Sequence, residues 1–127
     1  MERFSVEIIM DWVLEWLVSG NLHVEMLSNH FQFTSPFWKT SSKDHFIDKF
    51  KNSTTYQETS LANIVKFDPV IKLKGLDGNH FAIVLQYHTK NRHSVYETVL
   101  GTVEQGLLTE LRSIYDLSET KKALQIS

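Results

Sequence analysis

The segment that decides the fold spans residues 80–117 and reads HFAIVLQYHTKNRHSVYETVLGTVEQGLLTELRSIYDL. The large apolar residues Phe81, Ile83, Leu85 and Tyr87 alternate with His80, Ala82, Gln86 and His88, and only Val84 departs from the pattern. This is the period of a strand with one buried face. The polar segments TKNRHS and EQG separate this stretch from two further apolar stretches, residues 95–103 and 107–117. Short polar turns between such stretches join neighbouring antiparallel strands. The segment therefore predicts three consecutive strands of a meander.

A fourth strand is expected directly before this segment. There, Val65 and Phe67 alternate with charged residues, and Asp77 followed by glycine provides the turn into the next strand. Pro69 interrupts the alternation and has no amide hydrogen to donate to a neighbouring strand. It therefore predicts an edge strand or a bulge that bends the sheet.

The N-terminal part of the chain predicts two helices that meet at a tight corner. Apolar residues recur at helical spacing from Ile8 to Leu17, and acidic residues line the opposite side. Gly20 can end this helix in the left-handed conformation. Asn21 can then cap a second, short helix that runs to about Leu27.

A short first strand and a third helix are expected before the meander. FQFTSPFW, residues 31–38, alternates aromatic and polar residues and predicts the strand. Ser41 and Asp44 form a capping pair for a helix whose apolar stripe ends at Phe50. The C-terminal segment SETKKALQIS, residues 118–127, is expected to be a frayed helical turn or disordered.

The order of these elements predicts an α+β fold in which helices cover one face of an antiparallel sheet. The chain has 127 residues, which is one domain by length. We expect that domain to span residues 1–118 and the tail to span residues 119–127. Long, bent strands wrapped round a helix enclose a tapering cavity, which is a natural position for a small-molecule site.

Composition and charge exclude several classes of function. The net charge of −2 gives no electrostatic reason to expect a nucleic-acid partner. Glu7, Asp11 and Glu15 recur every four residues in the apolar N-terminal stretch, so we expect neither a signal peptide nor a membrane span there. The chain has no cysteine, which excludes disulfides and thiolate metal sites and favours a cytoplasmic location.

Residues 2 to about 118 resemble the nuclear-transport-factor-2-like superfamily, which includes SnoaL-like polyketide cyclases, ketosteroid isomerases and limonene epoxide hydrolases. The resemblance is carried by the segments WLVSGNLHVEML (16–27), FQFTSPFW (31–38), KDHFIDKF (43–50) and VEQGLLTELRSIYDL (103–117). It implies a cone-shaped, curved antiparallel sheet, made of the meander and a short first strand, around a long N-terminal helix with two shorter helices. It also implies a pocket between that helix and the concave sheet, and a homodimer formed through the outer sheet face.

The resemblance does not extend to the catalytic residues of the isomerase members. Those enzymes use a carboxylate before the proline of the first strand, together with a tyrosine and a neutral carboxylic acid. The corresponding places here hold Ser35 and Val13, while the place of the neutral acid falls near Thr98, one residue beyond Glu97. A serine hydroxyl without an adjacent base cannot take a proton from carbon. Steroid isomerisation is therefore disfavoured.

The hydrolase members need an Asp, Arg, Asp trio. Ser113 stands in the place of their last-strand aspartate, and the segment HFAIVLQ, residues 80–86, holds neither an Asp nor an Arg. Epoxide hydrolysis is therefore disfavoured too. SnoaL-like cyclases rely on fewer groups, chiefly an acid or base in an apolar pocket, and that activity stays open.

The residues expected to line an apolar pocket are aromatic side chains, together with small hydroxyls at places where the family does chemistry. They are Trp12, Trp16, Phe33, Ser35, Trp38, Tyr56, Tyr87, Thr98, Ser113 and Tyr115. No catalytic residue is assigned. Glu97 and His88 are the candidate acids. Asp116 could cap the tail or lie at the pocket mouth, and the capping role is preferred. Side chains along this strand point alternately to the two faces of the sheet, but this pattern does not decide whether Glu97 faces the pocket or the outer face.

No metal site or cofactor is expected. His80 and His88 are separated by about 26 Å along a strand, at roughly 3.3 Å per residue. The preferred function is the binding of a small, largely apolar molecule. The alternatives are an isomerase, cyclase or hydrolase acting on a small carbonyl or hydroxyl compound, and a protein-interaction module.

Overall fold

The computed structural model describes residues 3–36, 39–52 and 64–124. The helices are α1 (Val6–Ser19), α2 (Lys43–Asn52) and α3 (Leu117–Leu124), and a 3-10 turn covers Val24–Met26. The strands are β1 (Leu27–Thr34), β2 (Lys39–Thr40), β3 (Ile64–Lys74), β4 (His80–Thr89), β5 (Ser94–Glu104) and β6 (Leu107–Ile114). The predicted α+β fold class is confirmed.

All six strands form one curved sheet in the order β2-β1-β6-β5-β4-β3. The strands from β3 to β6 form the predicted antiparallel meander. The sheet is mixed rather than wholly antiparallel, because β1 runs parallel to β6. The expectation of a purely antiparallel sheet was wrong in this respect, since no local pattern reports the direction of a pairing between strands so far apart in sequence.

Pro69 lies where the sequence predicted it, on an edge strand with an irregular register. β3 pairs on one side only, with β4, and its register shifts between Pro69 and Ile71. The shift changes which residues of β3 face each side of the sheet. After this shift, Lys72 pairs with Ile83 and Lys74 pairs with Phe81. Ile83 and Phe81 both belong to the buried face of β4.

α1 lies across the concave face of the sheet and contacts β4 and β3. Ser5 caps it by accepting a hydrogen bond from the amide of Ile8, and Gly20 ends it at a positive φ of 78°. Its apolar side includes Ile9 and Val13, both fully buried. Its acidic side meets β3, where the Nζ atom of Lys72 lies 3.1 Å from Asp11 Oδ1. The amphipathic pattern in the sequence predicted both sides of this helix.

The second helix predicted after Gly20 is not a helix of that length. Only the 3-10 turn at Val24–Met26 is present, and Leu27 already pairs with Leu108 of β6. Asn21 does not cap it, because the residue at the N-cap position is His23. The side-chain amide of Asn21 donates to Glu15 at 2.8 Å. Pairing with β6 gives the backbone after Met26 its hydrogen-bond partners, so the chain turns into a strand before a second turn of helix forms.

The third predicted helix is present as α2, but its cap lies one residue later than expected. The amide of His45 donates to the hydroxyl of Ser42 at 3.1 Å, so Ser42 and not Ser41 caps the helix. Phe46 is the most deeply buried of the side chains that the structure describes in this helix, with 1% of its surface exposed. It anchors α2 against β1.

The C-terminal segment forms a third helix, α3, which packs on the sheet beside β5. Asp116 caps it, as predicted, by accepting a hydrogen bond from the amide of Glu119 at 2.8 Å. Thr120 is buried, with 1% of its surface exposed. The side chain of Asn91, in the turn between β4 and β5, donates to the carbonyl of Lys122 at 3.1 Å. α3 therefore closes one end of the concave face.

Gly101 shapes the middle of the sheet. It lies on the concave side of β5 opposite Phe81 of β4, and a Cβ atom there would lie 2.1 Å from the ring of Phe81. The ring therefore covers the glycine backbone, as aromatic residues do beside glycines in curved sheets. The core lies on this concave side.

Candidate functional site

The concave side of β5 carries one carboxyl group among apolar residues. Val95, Val99 and Val103 are all buried on this side, and Glu97 lies in the same alternating row. Glu97 is itself partly buried and pairs across the sheet with Leu85 of β4, which is fully buried. The structure thus answers the question that the alternation left open, because it places Glu97 on the concave face.

Ser113 of β6 is the hydrogen-bond partner of Glu97. Its hydroxyl donates to Oε2 of Glu97, and Ser113 is buried. Burial away from water raises the pKa of Glu97, and the hydrogen bond from Ser113 opposes this shift. Glu97 therefore stays protonated to higher pH than an ordinary glutamate.

Tyr87 of β4 is a diagonal neighbour of Glu97 on the same face and is buried. Its burial raises the pKa of the phenol to about 12, the hydroxyl of Thr120 opposes that shift, and the charge of Glu97 adds to it. The Thr120 hydroxyl lies against Tyr87 without good hydrogen-bond geometry, and no partner among the described residues satisfies it. α3 therefore brings a fourth polar group to this end of the sheet.

These four residues, Tyr87, Glu97, Ser113 and Thr120, form what we term the polar cluster. A carboxyl group and three hydroxyls meet there on an otherwise apolar face. Each hydroxyl can donate or accept a hydrogen bond, and the carboxyl group can do both when protonated but only accept when ionised. The ring of Phe67 lies beside that of Tyr87, with centroids 6.0 Å apart. The cluster can therefore orient a polar group of a bound molecule.

A second group of side chains on the concave face is wholly aromatic. We term it the aromatic end, defined by Trp16, Phe31, Phe33 and Phe46. Phe46 packs edge-on against Phe31, with ring centroids 5.0 Å apart, and against Trp16 at 5.6 Å. Trp16 also meets Phe33 edge-on at 5.9 Å. These are the favourable geometries of aromatic pairs, so Trp16 and Phe33, both predicted to line a pocket, pack together here.

Trp12 has different neighbours. Its indole stacks on the imidazole of His23, with centroids 4.4 Å apart and planes 9° from parallel, and meets Phe4 edge-on at 4.8 Å. His23 also pairs with Glu15 of α1. Trp12 thus fixes the corner between α1 and the 3-10 turn.

The remaining predicted site residues are dispersed. Ser35 follows the end of β1 and Tyr115 follows the end of β6, and both are partly buried. Thr98 lies on the opposite side of β5 from Glu97, because its neighbours Glu97 and Val99 both belong to the concave row. It is not part of the polar cluster. Trp38 and Tyr56 lie outside the described residues.

His88, one of the two candidate acids, belongs to a network on the outer face of the sheet. Its Nε2 atom lies 3.0 Å from Asp68 Oδ2, and its Nδ1 atom lies 2.9 Å from Ser94 Oγ. The hydrogen bond from His88 holds the pKa of Asp68 below its usual range. His88 alternates with the buried residues Tyr87 and Thr89, so the sheet separates it from Glu97.

Within residues 3–36, 39–52 and 64–124, no group of three His, Asp or Glu side chains is placed to hold a metal ion. No helix in that part of the chain is long and apolar enough to cross a membrane. An open groove of about 440 Å³ is lined by Gln32, Thr34, Lys39, Thr40, Ser41 and His45. It contains none of the predicted pocket residues.

Thr120 is the site residue that the sequence interpretation missed. The polar composition of the tail predicts a frayed or disordered segment, which gives its side chains no fixed position. The sequence feature that could have identified Thr120 is the predicted cap at Asp116. An aspartate at this position marks the start of a helix, and a helix that begins there places Thr120 within its first turn.

No protein-family model matches this sequence, and no curated protein matches it either. Several solved structures share its fold. A protein with a ketosteroid isomerase-like fold from Catenulispora acidiphila DSM 44928, in complex with trimethylamine, is 17% identical with a TM-score of 0.65, and the match covers 97% of this chain and 95% of that one.

Two further structures extend the comparison. A provisionally named SnoaL-like polyketide cyclase from Jannaschia sp. CCS1 is 12% identical with a TM-score of 0.64, covering 100% of this chain and 97% of that one. An NTF2-like protein of unknown function from Cytophaga hutchinsonii ATCC 33406 is 14% identical with a TM-score of 0.58, covering 91% and 93%. The chain therefore has the nuclear-transport-factor-2-like fold that the resemblance in its sequence implied.

Proposed function

We propose that this protein binds a small, largely apolar molecule on the concave face of its sheet, with a polar group of the ligand held by the polar cluster. The observation that carries the proposal is the placement of Glu97. It lies among buried valines and Leu85, and Ser113 is its hydrogen-bond partner.

A carboxyl group in this position lowers the stability of the folded protein. On an apolar face it loses hydration and recovers little of it from one hydroxyl. Thr120 adds a buried hydroxyl that no described residue satisfies. Polar groups placed in this way are typical of binding sites, because a ligand supplies the missing partners.

The comparisons support a ligand-binding role without naming the ligand. One protein of the same fold was solved with trimethylamine, a small molecule with an apolar surface and one polar atom. The fold hosts unrelated functions, so the polar cluster rather than the fold carries the proposal. We place the protein in the cytoplasm, consistent with its lack of cysteine.

A thermal-shift screen tests this proposal. The panel contains matched apolar alcohols, ketones and amines of similar size. A ligand at about 100 times its dissociation constant stabilises the folded state by about 2.7 kcal/mol, which moves the midpoint by several degrees. At least one class should bind to the wild type and bind differently to the Glu97→Gln variant.

The control is Glu104→Gln, which makes the same change at an exposed position of the same strand. This variant should bind as the wild type does. If no compound of any class raises the midpoint, the proposal is wrong.

Catalysis by Glu97 is the second candidate function, and the raised pKa of this carboxyl group favours it. A general acid or base works best when its pKa lies near the working pH. Any ketone that binds in the screen should then exchange its α-hydrogens for deuterium in D2O faster with the wild type than with Glu97→Gln. Proton NMR measures this exchange. Equal rates for the two proteins would rule out proton transfer by Glu97 with that compound.

We also propose that the protein forms a homodimer through the outer face of the sheet. Large apolar side chains are exposed there, including Tyr96 (60%), Leu100 (41%) and Ile114 (47%). Exposed apolar patches of this kind mark interaction surfaces.

Light scattering after size exclusion should give twice the chain mass of 14.8 kDa for the wild type and the single mass for Leu100→Lys. Leu76→Lys, in the exposed turn between β3 and β4, is the control and should stay dimeric. A monomeric wild type would contradict the dimer and favour a different protein as the partner of this face.

A further inference from the structure

We propose that the polar group of the ligand is a protonated amine, which pairs with the carboxylate of Glu97 while its apolar part lies on the concave face. This inference rests on the proposed function, and it adds the chemical class of the ligand. The charges, the hydrogen-bonding groups and the aromatic rings around Glu97 each support it.

Glu97 has no counter-charge among the side chains that the structure describes, which do not include those of Lys51 and Lys121. The lysines of β3 near the concave face are already paired with α1, Lys72 with Asp11 and Lys74 with Glu7. No lysine, arginine or histidine of the described residues pairs with Glu97, whose partner there is Ser113. A ligand cation would supply the partner that an ionised Glu97 needs.

The hydrogen-bonding groups of the polar cluster also suit an ammonium group. Ser113, Tyr87 and Thr120 all bring hydroxyls, whose lone pairs accept hydrogen bonds, and Glu97 accepts through both oxygens when ionised. An ammonium group only donates, so it matches a set of acceptors. A carboxylate or phosphate on the ligand would instead meet the carboxyl group of Glu97, and burial would make that repulsion costly.

The lining of the site offers a surface to each part of an alkyl amine. The rings of Phe67 and Tyr87 pack against each other at the edge of the polar cluster, with centroids 6.0 Å apart. An aromatic face attracts a cation that lies within about 6 Å of the ring centroid. Ile64 and Phe67 of β3 pack against the buried core on the same face and stay partly exposed, so they can offer an apolar surface to an alkyl chain. The charged head and the alkyl chain of one molecule can therefore be bound together.

The pairing makes a distinctive prediction about protons. Burial raises the pKa of Glu97, so the free protein holds a proton there that an ordinary glutamate would lose. A bound ammonium favours the ionised form, and binding therefore releases this proton. The titratable group facing Glu97 from β4 is Tyr87, whose pKa of about 12 keeps it neutral. From β6 and α3 come the hydroxyls of Ser113 and Thr120, which do not titrate. Affinity for an amine should thus rise with pH until the amine itself loses its charge near pH 10.

Isothermal titration calorimetry with n-hexylamine and n-hexanol tests this inference. Both probes carry the same chain, and only the amine is charged. Titrations between pH 5 and pH 9, in two buffers with different ionisation enthalpies, report the protons released. We expect hexylamine to bind more tightly as the pH rises, with proton release, and hexanol to bind with no pH dependence.

Glu97→Gln keeps the size of the side chain and removes its charge. It should weaken hexylamine binding by about 30-fold or more and leave hexanol binding within about twofold. Glu104→Gln, at an exposed position of the same strand, should change neither. The pH dependence in the wild type is decisive by itself, so the test does not depend on how well a variant folds.

The failures of the two proposals can be told apart. If hexylamine does not bind, or binds equally well to Glu97→Gln, the amine inference is overturned. If the amine inference is overturned but hexanol or a ketone of the screen binds, the proposed function is retained and its ligand is neutral. If no compound of any class binds, the proposed function falls with it.

Discussion

The two ends of the concave face contain opposite kinds of chemistry on the same sheet. At the aromatic end, Phe46 of α2 meets Trp16 and Phe31 edge-on, and no polar side chain takes part in these ring contacts. At the polar cluster, α3 covers a carboxyl group and three hydroxyls. The aromatic end is packed like an ordinary protein core, whereas the polar cluster places polar groups where a core would have apolar ones.

Under the proposed function, the aromatic end contributes to stability and the polar cluster contributes to ligand binding. Aromatic pairs with good geometry stabilise the fold beyond their buried area. A carboxyl group with a hydroxyl partner does not, since its lost hydration is incompletely replaced. Proteins commonly keep such costly groups at functional sites, where an apolar substitution would gain stability and lose activity. Mutations at the two ends should therefore have opposite signs.

The largest expected effect is at the aromatic end. Phe46→Ala removes a ring that is 1% exposed and should cost about 3–5 kcal/mol of unfolding free energy. Urea denaturation followed by circular dichroism measures it. Phe46→Leu, which keeps most of the volume, should cost markedly less. A loss below about 1 kcal/mol for the alanine variant would mean that α2 does not anchor this end.

The next effect concerns the glycine between the two ends. Gly101→Ala places a Cβ atom 2.1 Å from the ring of Phe81, so the ring must move, at a cost of about 1–3 kcal/mol. Phe81→Leu removes the clash, and the double variant should lose less than the sum of the two single losses. Additive losses in urea denaturation would contradict the contact.

The polar cluster should show the opposite sign. Glu97→Met replaces a carboxyl group by an apolar side chain of similar length and should gain about 1–2 kcal/mol at pH 8. The folded-state pKa of Glu97 is raised, so the folded protein binds this proton more tightly than the unfolded chain does. Wild-type stability should therefore fall as the pH rises from about the usual value of 4.5 through the raised value, and the loss is complete above it.

The methionine variant should lack this part of the pH dependence. Urea denaturation of both proteins at pH 5 and pH 8 provides the comparison. A variant that is less stable than the wild type at pH 8 would show that Glu97 stabilises the fold, and the contrast between the two ends would then be wrong.

The smallest effect is at the cap of α3. Asp116→Ala removes the hydrogen bond to the amide of Glu119 and should cost about 1 kcal/mol. Because α3 covers the polar cluster, hydrogen exchange should speed up in α3 and remain unchanged in α2. Ser42→Ala, which removes the cap of α2, is the matched control and should show the reverse pattern. If the amides of α3 exchange at the same rate in the wild type and in Asp116→Ala, Asp116 does not stabilise α3 as its cap.

Local patterns in the sequence predicted most of the fold. The alternation of apolar and polar residues located the meander. Pro69 marked the edge strand, because a residue without an amide hydrogen cannot donate a hydrogen bond to a neighbouring strand in any sheet. The helix expected after Asn21 failed because the pairing of Leu27 with Leu108 lies beyond the reach of a local pattern. The parallel pairing of β1 with β6 was missed for the same reason.

The candidate site depends on features that local sequence patterns do not report. Tyr87 and Ser113, which the sequence predicts to line a pocket, lie in the polar cluster, whereas the sequence indicates Glu97 only as a candidate acid. Its alternation with Thr98 gives two faces and no means of choosing between them. The choice depends on which face α1 covers, and that is a property of the assembled sheet. Thr120 joins the cluster only because α3 folds back onto the sheet.

The central claim is that Glu97 is a carboxyl group held in an apolar site for a ligand. The most direct test follows its carboxyl carbon by ¹³C NMR as a function of pH, with and without n-hexylamine, and assigns the signal with Glu97→Gln. We predict a pKa above the usual 4.5 in the free protein and a lower pKa when the amine is bound. A carboxyl group that titrates near 4.5 and does not respond to the amine would contradict this claim.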